Sequence, residues 1–265
     1  MFKMIQFHVY PGGKKRIVTF SYDDGPISDK RLVDLFNKYK VKGTFNLNGG
    51  KASEEKIAEL RERYEGHEIS CHTVSHGWLD RMHYQSMVKE IIHNRLYLEK
   101  IAGYPVVGMS YPCSSYNEVV KEAAKLCGIV YSRTTNSTKT FQMPNDFFEW
   151  HPTCHHRDAL ELSGKFMENI DSAWGGRLFY IWGHSYELRT YEDWERIESI
   201  LKIISNNNKV WYATNMEIYQ YMMAQKALLI TADEKCIYNP SSVTVWVEKD
   251  GKNIVCVPAG ETVYL

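Results

Sequence analysis

Three short segments carry residues whose types and spacing suit metal-assisted hydrolysis. The first is Ser21-Tyr22-Asp23-Asp24-Gly25-Pro26. Adjacent carboxylates at a strand end point in different directions, so one can bind a cation while the other stays free as a base. Taken alone, such a pair could equally cap a helix. The second is His72-Thr73-Val74-Ser75-His76. Histidines at i and i+4 can share one face of a helical turn and reach a single metal. Two His and one Asp leave coordination positions open, the pattern of catalytic rather than structural sites. The third is Trp182-Gly183-His184-Ser185, which closes a strongly apolar run. At the C-terminal end of a barrel strand His184 would be a candidate acid or base; in a core it would simply be hydrogen-bonded.

The elements that must position these residues alternate. A buried strand is predicted over Lys15 to Ser21, then a helix capped by Ser28 or Asp29 through about Tyr39. Strand Gly43 to Leu47 precedes a helix capped by Ser53 and running to about Tyr64, with Glu54 and Glu55 in its first turn, where the helix dipole favours negative charge. Strand Glu68 to Cys71 follows. The 3.6-residue period of Met87, Val88, Ile91, Ile92, Leu96 and Leu98 predicts a helix over Tyr84 to Ile101. Strand Val106 to Met109, helix Glu118 to Leu126 and strand Ile129 to Ser132 come next. After an irregular stretch from Thr134 to Asp158, the pattern resumes with helix Ala159 to Ala173, strand Leu178 to Trp182, helix Tyr191 to Ile204, strand Val210 to Tyr212 and helix Met216 to Ala227.

Repeated strand–helix units imply α/β architecture with parallel strands. About seven units without a GxGxxG turn favour a distorted (β/α) barrel over a Rossmann sheet. The expected division is a barrel over residues 1–227 and a C-terminal β-hairpin appendage over 228–265, with Val243 to Val247 and Ile254 to Val257 flanking Asp250-Gly251.

Composition bounds the partners. Lys+Arg and Asp+Glu both number 32, so the formal net charge is zero. That gives no field for non-specific attraction to nucleic acid or anionic membranes. Aromatic residues make up 13%, enough for carbohydrate platforms, though aromatics also fill cores. No run approaches the ~18 apolar residues of a membrane span, and no signal-peptide stretch follows the first Lys, so a cytoplasmic location is expected. The six cysteines are scattered without a C-x-x-C pair, as expected for reduced thiols.

In order and spacing, Ser21 to Pro26, His72 to His76 and the strand ending in His184 resemble the polysaccharide deacetylases, carbohydrate esterase family 4 or the NodB homology domain. The resemblance covers about residues 15–225. It implies a distorted barrel whose groove holds one divalent metal, usually zinc, on Asp24, His72 and His76. It implies Asp23 as general base, His184 as general acid and an oxyanion contact from the backbone of Cys113. It also implies a carbohydrate substrate, with acetyl groups removed from N-acetylated or O-acetylated sugars. Hydrolysis of other C–N bonds, such as cyclic amides, and a catalytically silent carbohydrate-binding barrel are the alternatives.

The sequence departs from the family pattern at two supports. Ser110 stands where the family has an Arg that orients the base. His151, Cys154, His155 and His156 either line the site or replace that Arg, with His155 and His156 the nearest candidates, or form an unrelated polar loop. The Asp-Trp that tunes the family's catalytic histidine finds its nearest match in Glu149-Trp150. Tyr111, Cys113, Glu149 and Trp150 are thus the expected oxyanion or substrate contacts.

Overall fold

The protein is described here by a computed structural model covering residues 4–168, 170, 176–251 and 253–265. Its strands are β1 (Ile5–Gln6), β2 (Arg16–Asp23), β3 (Gly43–Leu47), β4 (Glu68–Cys71), β5 (Gly108–Ser110), β6 (Tyr131–Arg133), β7 (Cys154–His155), β8 (Arg177–Gly183), β9 (Val210–Tyr212), β10 (Leu229–Ile230), β11 (Cys236–Tyr238), β12 (Val245–Lys249), β13 (Asn253–Val257) and β14 (Thr262–Tyr264). Its α-helices are α1 (Asp29–Lys38), α2 (Glu54–Arg63), α3 (Tyr84–Ala102), α4 (Glu118–Leu126), α5 (Ala159–Met167), α6 (Tyr191–Ile204) and α7 (Asn215–Lys226).

Parallel strands run in the order β6-β5-β4-β3-β2-β8-β7, and β9 pairs with the first half of β2. This is the curled α/β sheet that the strand–helix alternation predicts. Residues between β6 and β8 narrow the remaining gap: Trp150 N–H donates to Ser132 O at 3.0 Å, and Thr153 N–H donates to Tyr180 O at 2.8 Å.

β2 is buried along its whole length, so both of its faces must be satisfied. Val18, Phe20 and Tyr22 pack with Leu32 and Phe36 of α1 and with Phe45. Each such apolar burial contributes about 1.5–3 kcal/mol before entropy is counted. Thr19, Ser21 and Asp23 lie on the opposite, inward face, set by the period of two. Those inward polar atoms find one another: Asn46 Nδ2 donates to Ser21 Oγ at 2.8 Å, and Thr19 Oγ1 donates to Asn215 Oδ1 at 3.0 Å.

Some elements differ from expectation. Ser53 caps α2 by accepting from Lys56 N–H, but neither Ser28 nor Asp29 caps α1. Asp29 is buried instead, accepting from Tyr64 Oη at 2.7 Å and Ser185 Oγ at 2.5 Å. The short β7 lies in the segment read as irregular; two residues carry no periodicity to read. The predicted helix to Ala173 is α5 through Met167, and residues 171–173 lie outside the described residues.

Beyond 228 the chain forms more than one hairpin. β12 and β13 pair across Asp250-Gly251, and β1 from the N-terminus adds to β12. β10, β11 and β14 form a second antiparallel sheet. A core of Tyr10, Trp150, Tyr180, Tyr221, Val245 and Val247 joins these strands to the barrel. Among the described residues, no helix is long and apolar enough to cross a membrane.

Candidate active site

Asp23 ends β2 on its inward face and is 2% exposed. Asn46 Nδ2 donates to its Oδ1 at 2.8 Å, and Ser110 Oγ donates to the same oxygen at 3.3 Å. Its Oδ2 is held by the guanidinium of Arg133, the last residue of β6. Arg133 Nη2 also donates to Ser110 Oγ at 2.5 Å. Burial alone would push the Asp23 carboxyl up. Arg133, with help from His72 and His184, overcomes that and holds it at about 2. Asp23 is therefore an ionised, fixed carboxylate at neutral pH.

Ser110 and Arg133 are register partners on paired parallel strands. The arginine expected at 110 stands one strand over, and the small Ser110 leaves room for it to reach across. This corrects the expectation that His155 or His156 takes its place. Arg133 also lies 4.8 Å from the Trp182 ring centroid, a cation–π contact that fixes the far side of the guanidinium.

Asp24 follows in a left-handed conformation (φ 75°), which turns its side chain away from the direction of Asp23. Its N–H donates to Asn46 O at 3.0 Å, and its Oδ1 accepts from Asn48 Nδ2 at 3.2 Å. Nε2 of both His72 and His76 lies 3.6 Å from Asp24 Oδ1. The spacing of these histidines suggested a helical turn. They converge instead through a loop in which Thr73 (φ 63°) and His76 (φ 56°) are left-handed. Such backbone strain collects where a site needs an exact arrangement. Glu90 Oε2 secures the loop by accepting from the N–H groups of Val74 and Ser75 at 3.0 and 2.8 Å.

Asp24, His72 and His76 fit a divalent cation. One ligand atom from each lies within 4.8 Å of the others. His72 Nδ1 sits 2.8 Å from the Ser110 carbonyl, which can only accept, so Nδ1 carries the proton and the Nε2 lone pair faces the carboxylates. Burial keeps His72 neutral despite Asp23 and Asp24, the form in which imidazole ligates.

His184 follows β8 with Nε2 3.9 Å from Asp23 Oδ2 and 4.0 Å from Asp24 Oδ2. Its Nδ1 lies 3.1 Å from Glu187 Oε1. Burial opposes the charged ring. The Glu187 hydrogen bond and the Asp23 and Asp24 charges outweigh it and raise its pKa. Tyr186 stacks on the same ring at 5.0 Å.

A family profile described as polysaccharide deacetylase matches residues 11–132. That segment of the chain resembles the polysaccharide deacetylases. It is 26% identical over 114 residues to the peptidoglycan-N-acetylmuramic acid deacetylase PdaC of Bacillus subtilis, a match covering 42% of this chain and 24% of that protein. It is 26% identical over 116 residues to a peptidoglycan-N-acetylglucosamine deacetylase of Bacillus cereus, covering 43% of this chain and 54% of that one. The matches thus span about a quarter to a half of these relatives. The fold resembles a family 4 acetyl xylan esterase of Clostridium thermocellum solved with a cobalt ion, at TM-score 0.54 and 20% identity, covering 77% of this chain and 90% of that one. The solved PdaC structure aligns at TM-score 0.53 and 19% identity, covering 83% and 96%.

Of the remaining expected contacts, Glu149, Trp150 and Tyr111 are engaged elsewhere, whereas Cys113 lies close enough to feel the Asp24 charge. Glu149 is bound by Lys121 Nζ at 2.7 Å, which Asp146 shares. Trp150 is fully buried among Tyr131, Phe147 and Tyr180. The carboxylate on His184 is Glu187, three residues on, so the assignment of Glu149-Trp150 to that role is corrected. Tyr111 is buried, with its hydroxyl donating to Phe148 O at 3.0 Å and its ring stacked on Tyr116. Cys113 is exposed, and its thiol is raised by burial of its surroundings and by the Asp24 charge. His151 Nδ1 lies 2.6 Å from Thr134 Oγ1. His155 and His156 gather on Glu187.

Proposed function

We propose that this chain is a metal-dependent hydrolase that removes acetyl groups from N-acetylated sugars or their polymers. The observation that carries the proposal is the convergence of Asp23 and His184 beside the Asp24, His72 and His76 donors, with the proton acceptor locked by Arg133. A divalent cation bound there supplies Lewis-acid polarisation of an acyl carbonyl and acidifies water.

The chain's own groups do the proton work. Asp23, ionised and buried, takes a proton from the attacking water as its oxygen bonds to the acyl carbon. His184 donates its Nε2 proton to the sugar nitrogen as the C–N bond breaks. Acetate and the free amine are the products, with the proton on Asp23 lost to solvent and His184 reprotonated. Glu187 keeps the imidazolium favourable before transfer and orients the ring from Nδ1. A general acid and a general base each contribute typically 10²–10⁴-fold.

A barrel that only bound carbohydrate would need neither the buried ionised Asp23 nor a raised His184. The test is acetate release from a panel of N- and O-acetylated sugars, with zinc added and with zinc chelated. Zinc-dependent release from an N-acetylated glycan supports the proposal. Sugar binding without release from any panel member would replace it with the binding reading.

A further inference from the structure

A second group of metal-type donors stands beside the first centre. His155 ends β7, His156 follows it, and Glu187 lies in the turn after β8. Glu187 Oε2 is 3.0 Å from His155 Nε2 and 3.2 Å from His156 Nε2. Metal–ligand bonds of about 2.0–2.1 Å place two tetrahedral donors about 3.3–3.4 Å apart. This triad lies as close to ligand spacing as the Asp24 centre, where the comparable separations are 3.6 Å.

The orientation of these groups matters as much as their distance. Glu187 Oε2 is shut off from solvent yet accepts no aligned hydrogen bond, although three nitrogens lie within 3.3 Å of it. A hydrogen bond needs N–H vectors aimed at the oxygen. A shared cation needs nitrogen lone pairs aimed beside it.

The surroundings hold the donors in place. His156 Nδ1 is 3.2 Å from Tyr22 Oη, and its ring stacks on the Tyr22 ring. The tautomer that donates from Nδ1 to Tyr22 leaves the Nε2 lone pair free, directed beside Glu187 Oε2. Gly183 is required beside it, because a Cβ there would collide with the His156 ring. His155 packs edge-on against Trp182 at 4.8 Å.

We propose that His155, His156 and Glu187 form a second binding site for a borderline divalent cation such as zinc. It is distinct from the Asp24, His72 and His76 centre. The N₂O donor set selects zinc or a neighbouring transition ion over magnesium or calcium. Binding exchanges two contacts. Arg157 Nη2, 3.3 Å from Oε2, must swing away, and its side chain is 64% exposed and able to do so. The backbone N–H of Arg157, 3.3 Å from His155 Nδ1, must give way to a proton on that nitrogen. Glu187 also reaches His184 through Oε1, so a cation here would sit one carboxylate away from the reaction's acid.

Metal counting tests this independently of activity. The full chain is loaded with zinc at neutral pH, desalted, and its bound metal measured by mass spectrometry beside circular dichroism to check folding. Two zinc ions per chain are expected. His76→Ala should lose one, His155→Ala should lose the other, and the double variant should bind none. Glu187→Gln, nearly isosteric, should lose the same ion as His155→Ala and keeps the test open if His155→Ala misfolds. One ion per chain, lost in His76→Ala and kept in folded His155→Ala and Glu187→Gln, would overturn the second site. One ion lost in His155→Ala but kept in His76→Ala would uphold it and contradict the first centre.

Discussion

The two donor groups of this molecule are alike in chemistry and opposite in construction. Asp24, His72 and His76 come from strand ends and a strained loop early in the chain, and they face Asp23 and His184. His155, His156 and Glu187 come from the last strands of the barrel, ringed by Tyr22, Trp182 and Arg157. The first group opens toward Asp23 and His184, the two residues proposed to transfer protons. The second touches only one of them, through the shared Glu187. The proposed reaction centre thus differs from the second group in having the Asp23 carboxylate beside it.

Removing a donor from each group should separate them most. Asp24→Ala should abolish first-centre metal binding and lower turnover by about 10³-fold or more, since the cation supplies several kcal/mol. Acetate release measured with bound zinc checks this. An equal loss from His155→Ala would erase the distinction drawn between the two groups.

Arg133 gives the next largest effect. In Arg133→Met, burial pushes Asp23 up with no guanidinium against it, by about 1–3 pH units. The acidic limb of kcat/KM should move up by that amount. Stability should follow. The folded pKa of about 2 lies below the unfolded value of ~3.9, so ionised Asp23 stabilises the fold above pH ~4 and that contribution is lost as pH falls toward 2. Arg133→Met should therefore acid-unfold at higher pH. The exchange Ser110→Arg with Arg133→Ser should recover activity lost in Arg133→Ser alone, because the two positions are register partners facing one carboxylate.

Glu187→Gln keeps the shape but removes the charge on His184. It should lower kcat by about tenfold with KM little changed, as expected for a group acting on the acid and not on substrate binding. Glu149→Gln should leave turnover unchanged and shift stability by no more than about 1 kcal/mol, because its carboxylate is 35% exposed on Lys121. A large kinetic loss there would restore the role assigned to Glu149 from the sequence.

These contrasts track what the sequence could and could not reveal. Asp23-Asp24, His72 to His76 and His184 were legible because each is a local cluster at the end of an apolar run. Most strands and helices were legible from period and caps. The resemblance to polysaccharide deacetylases follows from those motifs. Arg133 was not legible: it lies 110 residues from Asp23, and only strand pairing brings it across Ser110. The predicted strand stopped one residue short of it, at Ser132. Glu187 did leave a signal, a carboxylate three residues after His184. The Asp-Trp pattern of the resembled family points to Glu149-Trp150 instead. β7 and the contribution of β1 to the C-terminal strands were hidden because two-residue strands carry no period.

The central claim is that Asp23 is a proton acceptor and Asp24 a ligand, though the two are adjacent and chemically identical. Asp23→Asn tests it directly when zinc content and acetate release from an N-acetylated glycan are measured on the same sample. The account predicts full zinc occupancy at the first centre with turnover lowered by about 10²–10⁴-fold. Loss of that zinc, or turnover equal to the unmodified chain, would contradict it.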